Sequence, residues 1–238
     1  MELEKVSNVA KSATKRWYDD ACGAALAMEF VGERWSLLIL RELMFGPRRF
    51  GEIKAHLAGV SANVLTQRLV SLEEGGLLRR RMLPSPASVP VYELTEWGIE
   101  IEPVFQALGR WALRSPTHDP MLPLSPASVM LSFRTMIDPA RIGDWRASVG
   151  FRLGGDRFVA RVEDRELPIV RDEPDGADVL VECDTTALVM MVYGKWPLAD
   201  AQAAGRVTVS GDGAVFERFV TLFALPPKLA PLPRGKGD

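Results

Sequence analysis

Histidine and cysteine are scarce in this sequence, with two residues of each among 238. Cys22 and Cys183 are too few for the disulfide framework of a secreted protein, so we expect reduced thiols in a cytoplasmic protein. His56 and His118 lie far apart, and no cluster of His and Cys has the spacing of a zinc site. No histidine follows His118 and no carboxylates are paired for acid–base work, so we expect no metal, no cofactor and no catalytic residues.

The sequence also lacks long apolar runs and a strong excess of either charge. Without a run of about 18 apolar residues we expect no membrane span, and the charged N-terminus does not have the apolar centre of a signal peptide. The net charge of −2 excludes a uniformly basic surface for nucleic acid. Basic residues instead cluster at 48–54 and 79–81. Local clusters matter more than the total, because phosphate attraction is screened within about 10 Å.

Prolines divide the chain into two parts. The stretch SPTHDPMLPLSP at 115–126 contains four prolines and no apolar periodicity, which is typical of a linker. Helical patterns dominate before it and strand patterns appear after it, so we predict a mainly α domain followed by an α+β domain. The predicted boundaries are an N-terminal extension at 1–17, a first domain at 18–114, the linker at 115–127, a second domain at 128–226 and a disordered tail at 227–238.

The first domain has the element order of a winged helix-turn-helix. Apolar spacing predicts helices over 21–30, 33–45, 50–57 and 62–74, with Ser61 as the N-cap of the last. The runs LLRRRML and VPVYELT predict a hairpin, and Thr95 is expected to cap one final helix that reaches Trp111. Such a domain would place the helix at 62–74 in the major groove of DNA.

One face of the helix at 62–74 carries uncharged hydrogen-bonding side chains where a solvated helix usually carries charges. Amide and hydroxyl groups pair with base edges, so Asn63, Thr66 and Gln67 are predicted to contact bases. Polar and basic residues nearby are predicted to contact phosphates, and these are Arg48, Arg49, Lys54, Ser61, Arg68, Arg79, Arg80 and Arg81. The alternative is a solvated helix that contacts no DNA.

Several motifs within residues 18–113 resemble the HxlR-type transcriptional regulators of bacteria and archaea. The motifs are Gly32-x-x-Trp35 before Ile39-Leu40-Arg41, Gly46 to Phe50, Leu65 to Leu69, and Leu94 to Gly98. The resemblance implies a homodimeric winged-helix protein with its first and last helices, at 21–30 and 100–113, in the dimer interface. A two-fold dimer would bind a pseudo-palindromic operator in double-stranded DNA. We therefore expect a sequence-specific transcriptional regulator, with repression as the favoured direction.

The sequence departs from that family pattern at two positions. Val70 stands where the family often has a basic residue, so one DNA contact is lost or a methyl group meets thymine. Cys22 is followed by Gly23 where the family often has proline. Some relatives sense oxidants through this cysteine, but the neighbouring aspartates and alanines predict no lowered pKa for Cys22. A packing role for Cys22 is therefore favoured over redox sensing.

The second domain resembles the sterol-carrier-protein-2-like fold, on shorter motifs. These are Ala177 to Val181, Asp184 before a helix, Gly194, and Gly205 to Thr208. The resemblance implies an apolar tunnel for lipids or similar ligands. Candidate lining residues are Val189, Met190, Val192, Phe216, Phe219 and Phe223. The alternative is that these residues form an ordinary core. If the tunnel exists, a hydrophobic ligand bound in it would modulate the regulator. Alternatively, the chain is a lipid carrier whose helix-turn-helix serves dimerisation.

Overall fold

The computed structural model describes residues 18–120 and 122–230. The predicted N-terminal extension at 1–17 and residues 231–238 of the predicted tail lie outside the described residues. Within the described part of the tail, the backbone N–H of Leu229 donates to the carbonyl of Arg114 at 2.8 Å. Lys228 Nζ donates to the carbonyl of Ser115 at 3.0 Å, so this segment contacts the start of the linker. None of the helices in the described ranges is both long enough and apolar enough to cross a bilayer.

Helices surround a two-stranded hairpin in the N-terminal domain. They are α1 (Gly23–Val31), α2 (Ser36–Leu43), α3 (Phe50–His56), α4 (Ala62–Glu74), α5 (Glu96–Ile99) and α6 (Glu102–Ala112), and the strands are β1 (Leu78–Met82) and β2 (Pro90–Leu94). The predicted winged helix-turn-helix is confirmed. The prediction of one final helix is wrong, because Thr95 caps only the short α5. Pro103 lies in the first turn of α6, where its missing N–H cannot continue the preceding helix.

Leucine burial fixes the orientation of α4. Its side chains Leu65, Leu69 and Leu72 are at most 1% exposed, and each such burial stabilises the fold by about 1.5–3 kcal/mol. Ser61 caps the helix by accepting a hydrogen bond from the Val64 N–H at 3.2 Å. With the leucines turned toward α1, α2 and β1, the opposite face of α4 is left to the solvent.

A close backbone contact explains the glycine in the motif at 94–98. Thr95 Oγ1 donates to the Gly76 carbonyl at 2.7 Å and accepts from the Gly98 N–H at 3.0 Å. A Cβ atom at Gly98 would lie 1.9 Å from the Leu77 carbonyl oxygen. Only glycine therefore allows α5 to lie against the base of the hairpin.

The C-terminal domain is an α+β layer, as predicted. Its elements are α7 (Pro126–Met136), α8 (Pro139–Ile142), β3 (Ala147–Leu153), β4 (Asp156–Val162), β5 (Ile169–Val170), β6 (Val179–Cys183), α9 (Thr185–Val192), α10 (Leu198–Ala203), β7 (Val207–Gly211) and α11 (Gly213–Phe219). The strand order is β5-β4-β3-β6-β7. Strand β3 pairs antiparallel with β4 and parallel with β6. The resemblance to the sterol-carrier fold stays a prediction.

Phe45 joins the two domains through the apolar core. It follows α2 in the chain, yet it is 7% exposed and belongs to the hydrophobic cluster of the C-terminal domain. Its ring meets the Phe158 ring edge-on, with centroids 5.5 Å apart, and the Arg134 guanidinium lies 4.7 Å above it. The domains are therefore packed together rather than connected only by the linker.

A buried polar network centred on Glu42 lies at the same boundary. The Glu42 side chain is fully buried and accepts hydrogen bonds from Ser125 Oγ at 2.6 Å and Arg41 Nη2 at 2.8 Å. His56 Nδ1 lies 3.1 Å from Glu42, and its Nε2 lies 3.5 Å from Asp156 of β4. Burial favours a raised pKa for Glu42, but the contacts with His56, Arg41 and Ser125 outweigh it, so the pKa is lowered. Glu42 is therefore held as a carboxylate.

Candidate nucleic-acid interface

The solvent-facing side of α4 carries the three predicted base-contacting residues. Asn63, Thr66 and Gln67 are all exposed. Within the described residues, the side-chain amides of Asn63 and Gln67 have no hydrogen-bond partner. Thr66 differs, because its hydroxyl donates to the Ala62 carbonyl at 2.9 Å and keeps only its lone pairs for another group. The two amides are therefore the side chains best placed to read donor and acceptor groups on bases, and this role stays a prediction.

Basic side chains flank the helix-turn-helix. Arg49, immediately before α3, and Lys54, within it, are both exposed and form no ion pair in the described part of the chain. Ser61 is exposed at the start of α4, although its oxygen already caps the helix. Arg49 and Lys54 are therefore accessible to phosphates, and this role stays a prediction.

Glu93 holds two of the three arginines of the hairpin. Arg79 Nε donates to Glu93 at 2.7 Å and Arg81 Nε donates to it at 2.6 Å. Burial alone would raise the pKa of Glu93, but the hydrogen bonds and charges of the two arginines lower it. Arg80 alternates to the other face of β1, is exposed, and forms no side-chain ion pair with a described residue. Arg80 is therefore the hairpin cation most available to phosphate, and the charge of Arg79 and Arg81 is partly neutralised.

Arg48 does not fit the predicted role in DNA contact. It is 6% exposed, and its guanidinium group forms a short ion pair with Asp156 of the C-terminal domain. Its backbone exchanges hydrogen bonds with Tyr92 of β2, at 2.9 and 2.8 Å. The reason is the docking of the second domain, which covers the surface that Arg48 would otherwise present. Sequence reasoning missed Asp156 as a partner, because 108 positions separate the pair.

Arg68 is also engaged within the protein. Its Nη2 lies 3.1 Å from Glu33, which precedes α2, and only 21% of its side chain is exposed. Arg68 therefore connects α4 to the start of α2, and a phosphate contact would have to compete with Glu33. Val70 on the same helix is 48% exposed. The position where the family often has a basic residue therefore lies on the surface of this protein.

The predicted apolar pocket is filled by its own side chains. Val192, Phe216, Phe219 and Phe223 are at most 2% exposed. The Phe219 and Phe223 ring centroids are 4.9 Å apart, and Phe133 lies 4.8 Å from Phe223. The prediction that these four residues line a tunnel does not fit this packing, and the alternative of an ordinary core does.

The other two predicted pocket residues lie near the surface. Val189 and Met190 are half-buried and line a hollow of about 20 Å³ beside the linker. About 10–15 Å³ of such volume is enough for one water molecule, so the hollow holds one or two. This hollow therefore has no room for a lipid as it stands.

Cys22 contradicts the pKa argument made from its neighbours in sequence. It is exposed at the N-cap of α1, and backbone N–H groups of Ala24 and then Ala25 lower the pKa of its thiol. The aspartates nearby in sequence do not prevent this effect. Cys183 is the opposite case, because burial and then the charge of Asp184 raise the pKa of its thiol to about 12.

Comparison with known proteins matches the N-terminal domain. A family model described as HxlR-like helix-turn-helix matches residues 30–119. The HTH-type transcriptional regulator YodB of Bacillus subtilis is 38% identical over 86 residues, which cover 36% of this chain and 77% of that protein. An uncharacterized HTH-type regulator of Mycobacterium tuberculosis is 44% identical over 85 residues, covering 36% of this chain and 53% of its own. The solved structure of reduced YodB has a TM-score of 0.38 and 35% identity, covering 41% of this chain and 98% of that one.

Proposed function

This chain belongs to the HxlR-like helix-turn-helix family of transcriptional regulators, and we propose that it acts as a homodimer that represses transcription by binding a pseudo-palindromic operator. The observation that carries the proposal is the exposed face of α4. Its amide side chains, Asn63 and Gln67, point to solvent without partners, while the leucine stripe behind them holds the helix in place. A helix fixed by its buried leucines presents these amides to bases, and each bidentate pair with a base discriminates by about 1–3 kcal/mol.

Phosphate contacts in this proposal come from a smaller set than the sequence predicts. Arg49, Lys54 and Arg80 are exposed and unpaired within the described residues, so they supply most of the attraction to the DNA backbone. Arg48 is excluded by its burial against Asp156. The protein would therefore contact DNA phosphates with few cations, and its affinity should depend on salt less steeply than the seven predicted Lys and Arg contacts imply.

An unpartnered apolar face on α6 supports the homodimer. Val104, Leu108 and Trp111 recur on one side of the helix and are 50, 43 and 73% exposed. Leu26 and Met28 of α1 are exposed as well. The other side of α6 already contacts the C-terminal core through Phe105 and Leu113. A second copy of the chain would cover the exposed side, and two-fold pairing would place both α4 helices on one duplex.

The C-terminal domain would act on DNA binding through its contacts with the N-terminal domain. Phe45 and the Arg48–Asp156 pair connect the two domains. A ligand shifts binding only if it prefers one arrangement of the α4 helices over another. The packed phenylalanine core gives no support to a hydrophobic effector and weakens the alternative of a lipid carrier.

Thiol sensing is a second candidate function, favoured by one observation. The Cys22 thiol is exposed at the N-cap of α1, where backbone N–H groups of Ala24 and then Ala25 lower its pKa; exposed thiolates react with oxidants and electrophiles. This helix also carries the apolar residues proposed for the dimer contact. Modification of Cys22 would therefore act on the spacing of the two α4 helices.

Selection of bound duplexes from a random pool tests the proposed function, with the oligomeric state measured by analytical ultracentrifugation. The proposal expects a dimer and an enriched pseudo-palindrome with half-sites about one or two helical turns apart. Affinity for that site should exceed affinity for unrelated duplex by at least about a thousandfold. A dimer without sequence preference would favour the alternative in which the helix-turn-helix serves only dimerisation, and a monomer without sequence preference would contradict both.

A further inference from the structure

A polar cleft lies between α3 and the edge of the C-terminal sheet formed by β4 and β5. Its volume is about 580 Å³, within the range of small-molecule sites, which often lie between domains. The N-terminal domain contributes Arg48 and Glu52, and the C-terminal domain contributes Asp156, Arg171 and residues beside them. None of these residues belongs to the face of α4 proposed to bind DNA.

Arg171 lies at the base of this cleft with unused hydrogen-bond donors. Its Nε and Nη2 atoms are buried and have no hydrogen-bond partner among the described residues. The nearest carboxylate is that of Asp156, 3.5 Å from Nε, and Asp156 already pairs with Arg48. The guanidinium lies 5.3 Å above the Phe158 ring. Burial and then the charge of Arg48 lower the pKa of Arg171 to about 10. Two buried guanidinium groups thus share one carboxylate, and an additional anion would satisfy the donors that remain.

The mouth of the cleft carries negative charge, opposite in sign to the Arg171 guanidinium. Its rim carboxylates, which are Glu52, Asp172 and Glu173, are all exposed. Glu173 lies 3.3 Å from Arg157, which also lines the cleft. With Asp156 included, the acidic residues of the lining outnumber the arginines. A simple anion would be repelled at this mouth, whereas a ligand with a cationic group would be attracted to it.

We propose that the cleft binds a small zwitterionic amino carboxylate, with its carboxylate on the Arg171 guanidinium and its ammonium group among the rim carboxylates. The Arg171 side chain is 20% exposed and lines the cleft. Turning its buried N–H groups toward a ligand breaks no hydrogen bond that the described residues show. An occupant that moves Arg171 would change its contact with the buried Phe158 ring, which packs against Phe45 at the domain boundary. That regulatory consequence rests on the proposed function, but the binding itself needs no DNA.

Isothermal titration of the full chain in the absence of DNA tests the site. The probes are glycine, β-alanine, γ-aminobutyrate and ε-aminocaproate, with butyrate and butylamine as controls that carry a single charge. We expect saturable binding for at least one amino carboxylate, and affinity weaker by about tenfold or more for both controls. Absence of binding for all four amino carboxylates would overturn the proposal, and because no DNA is present this result would leave the DNA-binding proposal intact.

Variants assign the binding to the cleft. Arg171→Gln should weaken binding of the amino carboxylate by about tenfold or more. Arg161→Gln, on the exposed side of β4, should leave that affinity unchanged. Asp172→Asn changes only an exposed side chain. It should weaken binding of the amino carboxylate and should not weaken binding of butyrate, because it removes a charge that repels an anion. This variant keeps the test valid if Arg171→Gln does not fold. Binding equal to wild type in the folded Arg171→Gln protein, or in Asp172→Asn, would contradict the assignment.

Discussion

Arg48 and Asp156 form an ion pair across the domain boundary that is buried on both sides, with 8% and 5% of the two side chains exposed. Arg48 also exchanges backbone hydrogen bonds with Tyr92, so the same residue holds strand β2 of the wing. Asp156 begins β4 of the C-terminal sheet. One residue pair therefore fastens the sheet to the DNA-binding domain at the base of its wing.

Removing one member of this pair should destabilise the protein. Arg48→Met leaves the Asp156 carboxylate buried without its shortest contact, and such a change costs about 3–5 kcal/mol. We expect the low end of this range, because Arg171 and His56 remain near Asp156. The free energy of unfolding in urea measures the effect.

The double variant Arg48→Met with Asp156→Asn provides the control for that prediction. If the two residues interact directly, the double variant should be more stable than the sum of the single effects predicts, by about 0.5–3 kcal/mol. Additive losses would show that the pair does not couple the domains.

Arg80 should influence DNA affinity through its charge alone. Arg80→Gln removes an exposed cation from each of the two hairpins of the proposed dimer, so the slope of log affinity against log salt should become less negative by about 2. Fluorescence anisotropy on the selected duplex at several salt concentrations gives this slope. Arg161→Gln, an exposed change on the C-terminal sheet, should leave the slope as it is. An unchanged slope in Arg80→Gln would remove the hairpin from the phosphate contacts.

The exposed face of α6 should determine dimer formation. Leu108→Glu with Trp111→Glu places charges where two 43% and 73% exposed apolar side chains now lie. Burying each such side chain contributes about 1.5–3 kcal/mol, so the dimer dissociation constant should rise by at least about a hundredfold. Val170→Glu, at a 41% exposed position of the C-terminal domain, is the matched control in sedimentation experiments. Equal dimerisation by the two variants would locate the interface elsewhere.

The two cysteines should differ in the pH dependence of their alkylation. A lowered pKa means that the Cys22 thiolate persists to lower pH than an ordinary thiol, so its reaction should reach half of the maximal rate at a lower pH than that of an ordinary cysteine. Cys183, with its pKa raised to about 12, should react slowly until the protein unfolds. Mass spectrometry after timed iodoacetamide treatment separates the two sites. A fast reaction that survives in Cys22→Ser would contradict the assignment.

The sequence was most informative where structure depends on neighbours along the chain. Apolar spacing predicted the bounds of α4 at Ala62 and Glu74, and turn and strand residues predicted the hairpin. Local chemistry also predicted the Ser61 cap. The break between α5 and α6 was missed, although Pro103 signals it, because the apolar pattern continues across the break.

Contacts between distant residues could not be predicted in this way. Ser125 meets Glu42 across 83 positions, and Arg48 meets Asp156 across 108. A cluster of basic residues in the sequence therefore suggested a DNA contact for Arg48, which domain docking instead buries. The phenylalanines of the second domain show the same limit, since composition cannot distinguish a tunnel from a packed core. Their ring distances decide in favour of the core.

The most direct test of DNA reading by α4 is selection from a random duplex pool with three proteins in parallel. They are the wild type, Asn63→Ala with Gln67→Ala, and the control Ser71→Ala with Glu74→Gln, which changes exposed residues near the other end of α4. We predict that wild type and control enrich the same pseudo-palindrome. The Asn63 and Gln67 double variant should lose that preference by about 1–3 kcal/mol for each base pair read while keeping its salt-dependent attraction to DNA. Enrichment of the same sequence by the double variant would show that other residues read the operator.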